Sequence, residues 1–117
     1  MDYSQLSDFD INRLVAMRFP ETYLFNEEGN PYQLIPDSMA AYSGIDFEEV
    51  DFQPCGNPAD AWPIISENKI NIEWHEWKDG DFRPYALNSA TMKSVYDGNP
   101  LRAAMIVFLM MEEQENA

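Results

Sequence analysis

The stretch that decides the fold is Asn99-Pro100-Leu101-Arg102-Ala103-Ala104-Met105-Ile106-Val107-Phe108-Leu109-Met110-Met111. Asn99 is a helix-capping residue, and Pro100 suits the first helical position, where a missing N–H costs nothing. The helix they open is expected to run to about Glu113. It has almost no polar face, and a helix apolar all round is buried on most sides. Its apolar run, residues 103–111, is about half of what a membrane span needs. This helix therefore forms the centre of a folded domain. In so small a domain one sheet covers one side of it. The remaining sides need other helices or a second chain, so a homodimer through this helix is one way to complete the core.

Upstream, Ile70, Ile72 and Trp74 alternate with Asn71, Glu73 and His75, which predicts a strand over residues 70–77. Lys78-Asp79-Gly80-Asp81 contains the Asp-Gly hairpin signal. Residues 82–86 are the expected return strand, with Pro84 pushing it toward a sheet edge. Asn57-Pro58 is a second cap-plus-proline pair. Pro63 is expected to kink or divide the short helix over residues 59–68. At the beginning, Ser7 caps a helix with Asp8 and Asp10 in its first turn, and Leu6 with Ile11 suits a hydrophobic staple. Ile11, Leu14, Val15 and Arg18 share one face, and Pro20 stops the run. Residues 22–25 and 32–35 read as short strands around the turn Asn26-Glu27-Glu28-Gly29-Asn30, a hairpin. Residues 45–52 have neither period and read as a loop or edge strand. Their acids would discourage edge-to-edge pairing. Residues 112–117 are expected to fray. The whole, residues 1–117, reads as one acidic α+β domain. A small antiparallel sheet packs against an N-terminal helix, a short middle helix and the very apolar C-terminal helix.

The chain has 117 residues, 45% hydrophobic and 14% aromatic, enough for one core without staples. Seven Lys and Arg stand against 21 Asp and Glu, a net charge of −14. Such a surface repels DNA, RNA and anionic membranes and attracts basic partners. A single cysteine excludes an internal disulfide, and the acidic first ten residues are wrong for a signal peptide, which points to a reducing intracellular compartment.

Catalytic chemistry is sparse. His75, the single histidine, has no nucleophile motif beside it and reads as a half-exposed strand residue. Cys55 stands just before a helix start, where a thiolate is stabilised, so it is the residue to test for reactivity. Otherwise it is a small residue in a turn. Asp8, Asp10 and Asn12 copy the first three positions of a calcium loop, but Arg13 and Phe19 stand where glycine and glutamate are needed. No glycine-rich phosphate loop and no basic patch are present. Trp62, Trp74, Trp77, Phe82 and Tyr85 could form a stacking surface. Core packing accounts for most of them.

Three blocks carry a family resemblance: Met1-Asp2-Tyr3-Ser4-Gln5-Leu6-Ser7-Asp8-Phe9, Asn57-Pro58-Ala59-Asp60-Ala61-Trp62-Pro63-Ile64-Ile65, and Asn99-Pro100-Leu101-Arg102-Ala103-Ala104-Met105-Ile106. They resemble the NinX family of lambdoid phages and prophages. The blocks lie at the start, middle and end of the chain, while residues 18–52 add nothing to the likeness. The resemblance implies an accessory protein encoded near the recombination and late-control genes. It also implies that the protein is made in the cytoplasm of an infected bacterium and is dispensable for the basic lytic programme. It transfers no activity and no functional residues.

The leading expectation is a non-enzymatic phage accessory protein that binds a basic host or phage protein, as an acidic mimic of nucleic acid acting against host defence. The candidate partner-binding residues are Asp46, Glu48, Glu49, Asp51, Glu73, Glu76, Asp79 and Asp81. No cofactor, metal, membrane or direct nucleic-acid partner is expected. The alternatives are a small-ligand protein whose aromatic strands over residues 70–85 wall a nucleotide-like pocket, and a structural homodimer whose charge only keeps it soluble.

Overall fold

A computed structural model of the chain describes residues 1–36 and 46–115. A short 3-10 turn (Tyr3–Gln5) precedes α1 (Asp8–Met17), β1 (Leu24–Phe25), β2 (Pro31–Pro36) and β3 (Phe47–Asp51). Then come α2 (Pro58–Glu67), β4 (Asn71–Glu76), β5 (Phe82–Asn88), β6 (Lys93–Tyr96) and α3 (Pro100–Glu115). The expected α+β class holds. The strands are divided between two antiparallel three-stranded sheets, β1-β2-β3 and β4-β5-β6.

The core is built around α3. Asn99 caps it, its Oδ1 accepting from the backbone of Leu101 (2.8 Å) and Arg102 (3.3 Å). From Ala103 to Leu109 every residue is buried. The cover comes from α1, α2 and the second sheet, through Ile11, Val15, Ile64, Ile65 and Ala86. Each large apolar side chain so buried contributes roughly 1.5–3 kcal/mol. The chain therefore covers its own apolar helix, and that burial does not call for a second copy. Arg102, the charged interruption, is held at the helix start. Its guanidinium donates to Asp97 (3.0 Å), Asp8 (2.7 Å) and the carbonyls of Leu6 (2.6 Å) and Ser4 (3.2 Å). At the other end α3 continues to Glu115, and Glu113 accepts a 2.8 Å bond from the Tyr3 hydroxyl. Fraying from Glu112 is thus not observed, and residues 116–117 lie outside the described residues.

In α1, Ser7 caps as expected, accepting from the Asp10 amide at 3.1 Å. Ile11 and Val15 are buried and Leu14 packs against the core. Arg18 is the C-cap residue and is exposed. α2 is capped by Asn57 and runs through Pro63 as one helix, not the two pieces that were one expected outcome. Both Pro63 and Ala59, whose carbonyl loses its i+4 donor, are exposed. Water can serve that carbonyl, so the helix continues.

β4 and β5 form the expected hairpin, in register Ile72↔Ala86, Trp74↔Pro84 and Glu76↔Phe82. Gly80 takes φ +89° in its turn, a position that suits glycine. β5 is the central strand, however, because the unforeseen β6 pairs with its other side (Ala86↔Val95). Pro84 is tolerated there for a local reason. Its carbonyl accepts from Asp97 N (3.3 Å), so its nitrogen also faces the β6 side, one residue beyond the end of that strand. Its missing N–H removes no bond within the β5–β6 ladder. In the other sheet, β1 and β2 make the expected hairpin, and β3 is the edge strand suggested by its acids. The start of that segment at Ile45 lies outside the described residues.

Candidate functional site

Alternation along the second sheet sorts its residues onto two faces. Ile72, Ala86 and Val95 turn toward α3. Glu73, His75, Trp77, Arg83, Tyr85 and Tyr96 therefore stand on the opposite, outer face. Their rings form a continuous row. Trp77 meets Tyr96 edge-on at 5.4 Å and 85°. Tyr96 and Tyr85 are 4.5 Å apart, and Tyr85 and His75 are 4.6 Å apart. The Arg83 guanidinium lies 4.4 Å over the Trp77 ring. At the hairpin end the inner face is also uncovered, leaving Trp74 58% and Phe82 59% exposed. Trp77 and Tyr96 are 42% and 43% exposed. The expectation that most of these aromatics serve the core fails at this end of the molecule, as it does for Trp62 on α2. Trp74, Trp77, Phe82 and Tyr96 nevertheless line one open depression at this end, and exposed apolar surface gathered in this way marks an interaction site.

His75 is positioned between two partners. Its Nδ1 lies 2.7 Å from the Tyr96 hydroxyl and its Nε2 lies 2.8 Å from Glu73 Oε1. The neutral tautomer that satisfies both accepts the Tyr96 proton at Nδ1 and donates Nε2–H to the carboxylate. This fixes the two rings across β4 and β6, so the outer face is pre-formed.

The eight candidate acids fall into two groups. Glu73 joins the aromatic face through His75, and Glu76 takes the opposite face of β4 by alternation. Asp79 and Asp81 are in or beside the turn. Asp79 accepts from the Asp81 amide (3.0 Å) and pairs with Arg83 at 3.7 Å. Glu76 and Asp79 line a depression with Trp77 and Tyr96, and Asp81 lines one with Trp74 and Phe82. Asp46, Glu48, Glu49 and Asp51 lie on or just before β3 in the other sheet, and all are exposed. Pairing places Glu49 and Asp51 on one face of that sheet and Glu48 on the other. The two groups share no sheet.

Cys55 is fully buried. Burial, with a lesser push from the Asp8 and Asp97 carboxylates, raises its thiol to about 12. The lowering expected beside a helix start does not occur, because its side chain enters the core. Its amide donates to Asn12 Oδ1 (3.0 Å) and its carbonyl accepts from Asn99 Nδ2 (2.7 Å). Asn12 is thus a buried bridge between α1 and the loop before α2. Among the described residues no group of three or more His, Cys, Asp or Glu is placed to hold a metal ion, and no helix is long and apolar enough to cross a membrane.

The family model for bacteriophage P22 NinX matches residues 2–112. The chain belongs to the NinX family. That match includes residues 18–52, which the three sequence blocks left out, and so takes in both sheets of the NinX fold. No curated protein and no solved structure matches the chain.

Proposed function

We propose that this NinX-family chain is a non-enzymatic accessory protein of the infected bacterial cytoplasm that binds a basic protein through the end of the β4–β5 hairpin. One observation carries the reading. Exposed Trp74, Trp77, Phe82 and Tyr96 line one depression with Asp81, and Glu76 and Asp79 line another with Trp77 and Tyr96. Aromatic anchors inside a charged rim are the composition of an interaction hot spot. The net charge of −14 selects cationic surfaces and speeds encounter with them. A partner that holds nucleic acid on such a surface would meet carboxylates where it expects phosphates, the basis for a role against host defence.

The test is capture from a lysate of phage-infected cells on immobilised wild-type chain, at low and high salt. It is repeated with Trp74→Ala/Phe82→Ala and with Glu73→Gln/Glu76→Gln/Asp79→Asn/Asp81→Asn. Basic proteins that elute with salt, and are lost with either variant, are the expected result. Retention indifferent to salt and to both variants would sink the reading.

A further inference from the structure

We infer that the outer face of the second sheet takes an extended, proline-containing basic segment of its partner. This rests on the hairpin reading above and specifies how the partner is held.

Three features select that occupant. The first is shape. Trp77 and Tyr96 stand nearly perpendicular and open a corner between two ring planes. In front of it lies an open depression of about 820 Å³, lined by His75, Glu76, Trp77, Lys78, Asp79 and Tyr96. A pyrrolidine ring fits such a corner, and polyproline II segments are taken up by aromatic-lined grooves.

The second is hydrogen bonding. Neither the Trp77 indole N–H nor the Tyr85 hydroxyl donates to a described residue. A polyproline II chain has no internal hydrogen bonds, and its proline residues have carbonyls but no N–H. It needs donors, which this face offers. The Tyr96 hydroxyl is already committed to His75.

The third is charge. The cations at this end, Lys78 and Arg83, are outnumbered by Glu73, Glu76, Asp79 and Asp81. Arg83 is already engaged by Asp79 and the Trp77 ring. Arginine or lysine between the prolines would meet unbalanced carboxylates. A nucleic-acid strand could stack on the same rings, but the surrounding charge opposes its phosphates.

The experiment follows the Trp77 indole N–H and backbone amides by NMR in the full chain. The probes are a twelve-residue Arg-Pro repeat peptide, an Arg-Gly repeat of equal charge, and a twelve-nucleotide oligothymidylate. The Arg-Pro peptide should shift residues 75–77, 83, 85 and 96 and bind about tenfold more tightly than Arg-Gly, whose chain is not pre-extended. Trp77→Ala should weaken it by about tenfold or more, as loss of a central aromatic anchor does. Trp77→Phe, which keeps a ring and removes the donor, should fall between. Trp62→Ala, on α2, should change nothing. Equal affinity for the two peptides, tighter binding of the oligonucleotide, or an unchanged Trp77→Ala affinity would each overturn the inference. If the peptide fails while salt-sensitive capture still depends on Trp74 and Phe82, only this mode of holding is wrong. If capture fails as well, the hairpin reading falls with it.

Discussion

The two sheets have three antiparallel strands each and differ in what stands behind them. β4-β5-β6 lies along α3, with Ala86 fully buried and Ile72 and Val95 packed into the core. β1-β2-β3 is held at one end. Phe52, just after β3, stacks on Tyr23, just before β1, at 3.9 Å, and its amide donates to the Pro31 carbonyl at 3.0 Å. From that pin the sheet runs outward, from buried Pro31 to exposed Pro36, and every residue of β3 is exposed. Strand pairing alone stabilises a small sheet marginally; a buried face is what makes it firm. The braced sheet can therefore present aromatic rings in fixed positions, while the pinned sheet presents acids alongside Leu24, Leu34 and Phe47, which are exposed on one face.

Truncations should expose the contrast most sharply. Ile72→Ala, on β4 and packed into the core, should cost about 2 kcal/mol or more in urea unfolding. Phe47→Ala, 55% exposed on β3, should stay within about 0.5 kcal/mol. Equal losses would erase the distinction between the sheets. Next in size is Asn12→Ala, which leaves the buried Cys55 amide without its acceptor and should cost about 1–3 kcal/mol.

The alkaline limb is smaller and depends on pH. The folded Cys55 thiol titrates at about 12 against 9.0 when free. The folded state therefore holds the proton more firmly, and stability is lost as pH rises through that window. About 1 kcal/mol should be gone by pH 10. Burial raises the Tyr23 hydroxyl too, with Asp60 adding to the push. Cys55→Ala should flatten the limb in denaturation at pH 8 to 10.5. A limb unchanged by the substitution would remove the thiol as its cause.

The smallest effect belongs to Tyr3→Phe. The Tyr3 hydroxyl, with help from the chain's ammonium group, holds the Glu113 carboxyl below its ordinary range. That contribution is present above the ordinary carboxylate range and fades as pH falls through the lowered midpoint. In the variant the Glu113 midpoint should rise in an NMR titration. No movement would show that the tie is not formed in solution.

How much of this was legible in the sequence varies by element. The caps at Ser7, Asn57 and Asn99 act through neighbours two or three residues away, so local reading located these three helix starts. β4 shows its alternation directly. β6 does not, because Lys93-Ser94-Val95-Tyr96 is a strand by virtue of pairing with β5. Without β6, Pro84 seemed to require an edge. Asn12 gave no signal either, since its partner is 43 residues distant. The aromatic surface was legible as composition and misassigned as core. Nothing local tells that the hairpin end is left uncovered by α3. The acids beside those rings were singled out from sequence, while Tyr96 and the role of His75 in fixing it required the third strand.

Glu113 gathers more than a hydroxyl. Its carboxylate also lies 3.4 Å from the Met1 ammonium group, so Met1 and the last turn of α3 are neighbours. A short glycine-rich bridge from the end of α3 back to Met1 could splice the backbone into a ring. New ends could then be opened at the exposed Asn26–Glu28 part of the turn without parting any helix from the core. A permuted chain of this kind would leave the Trp77 face intact on a closed scaffold.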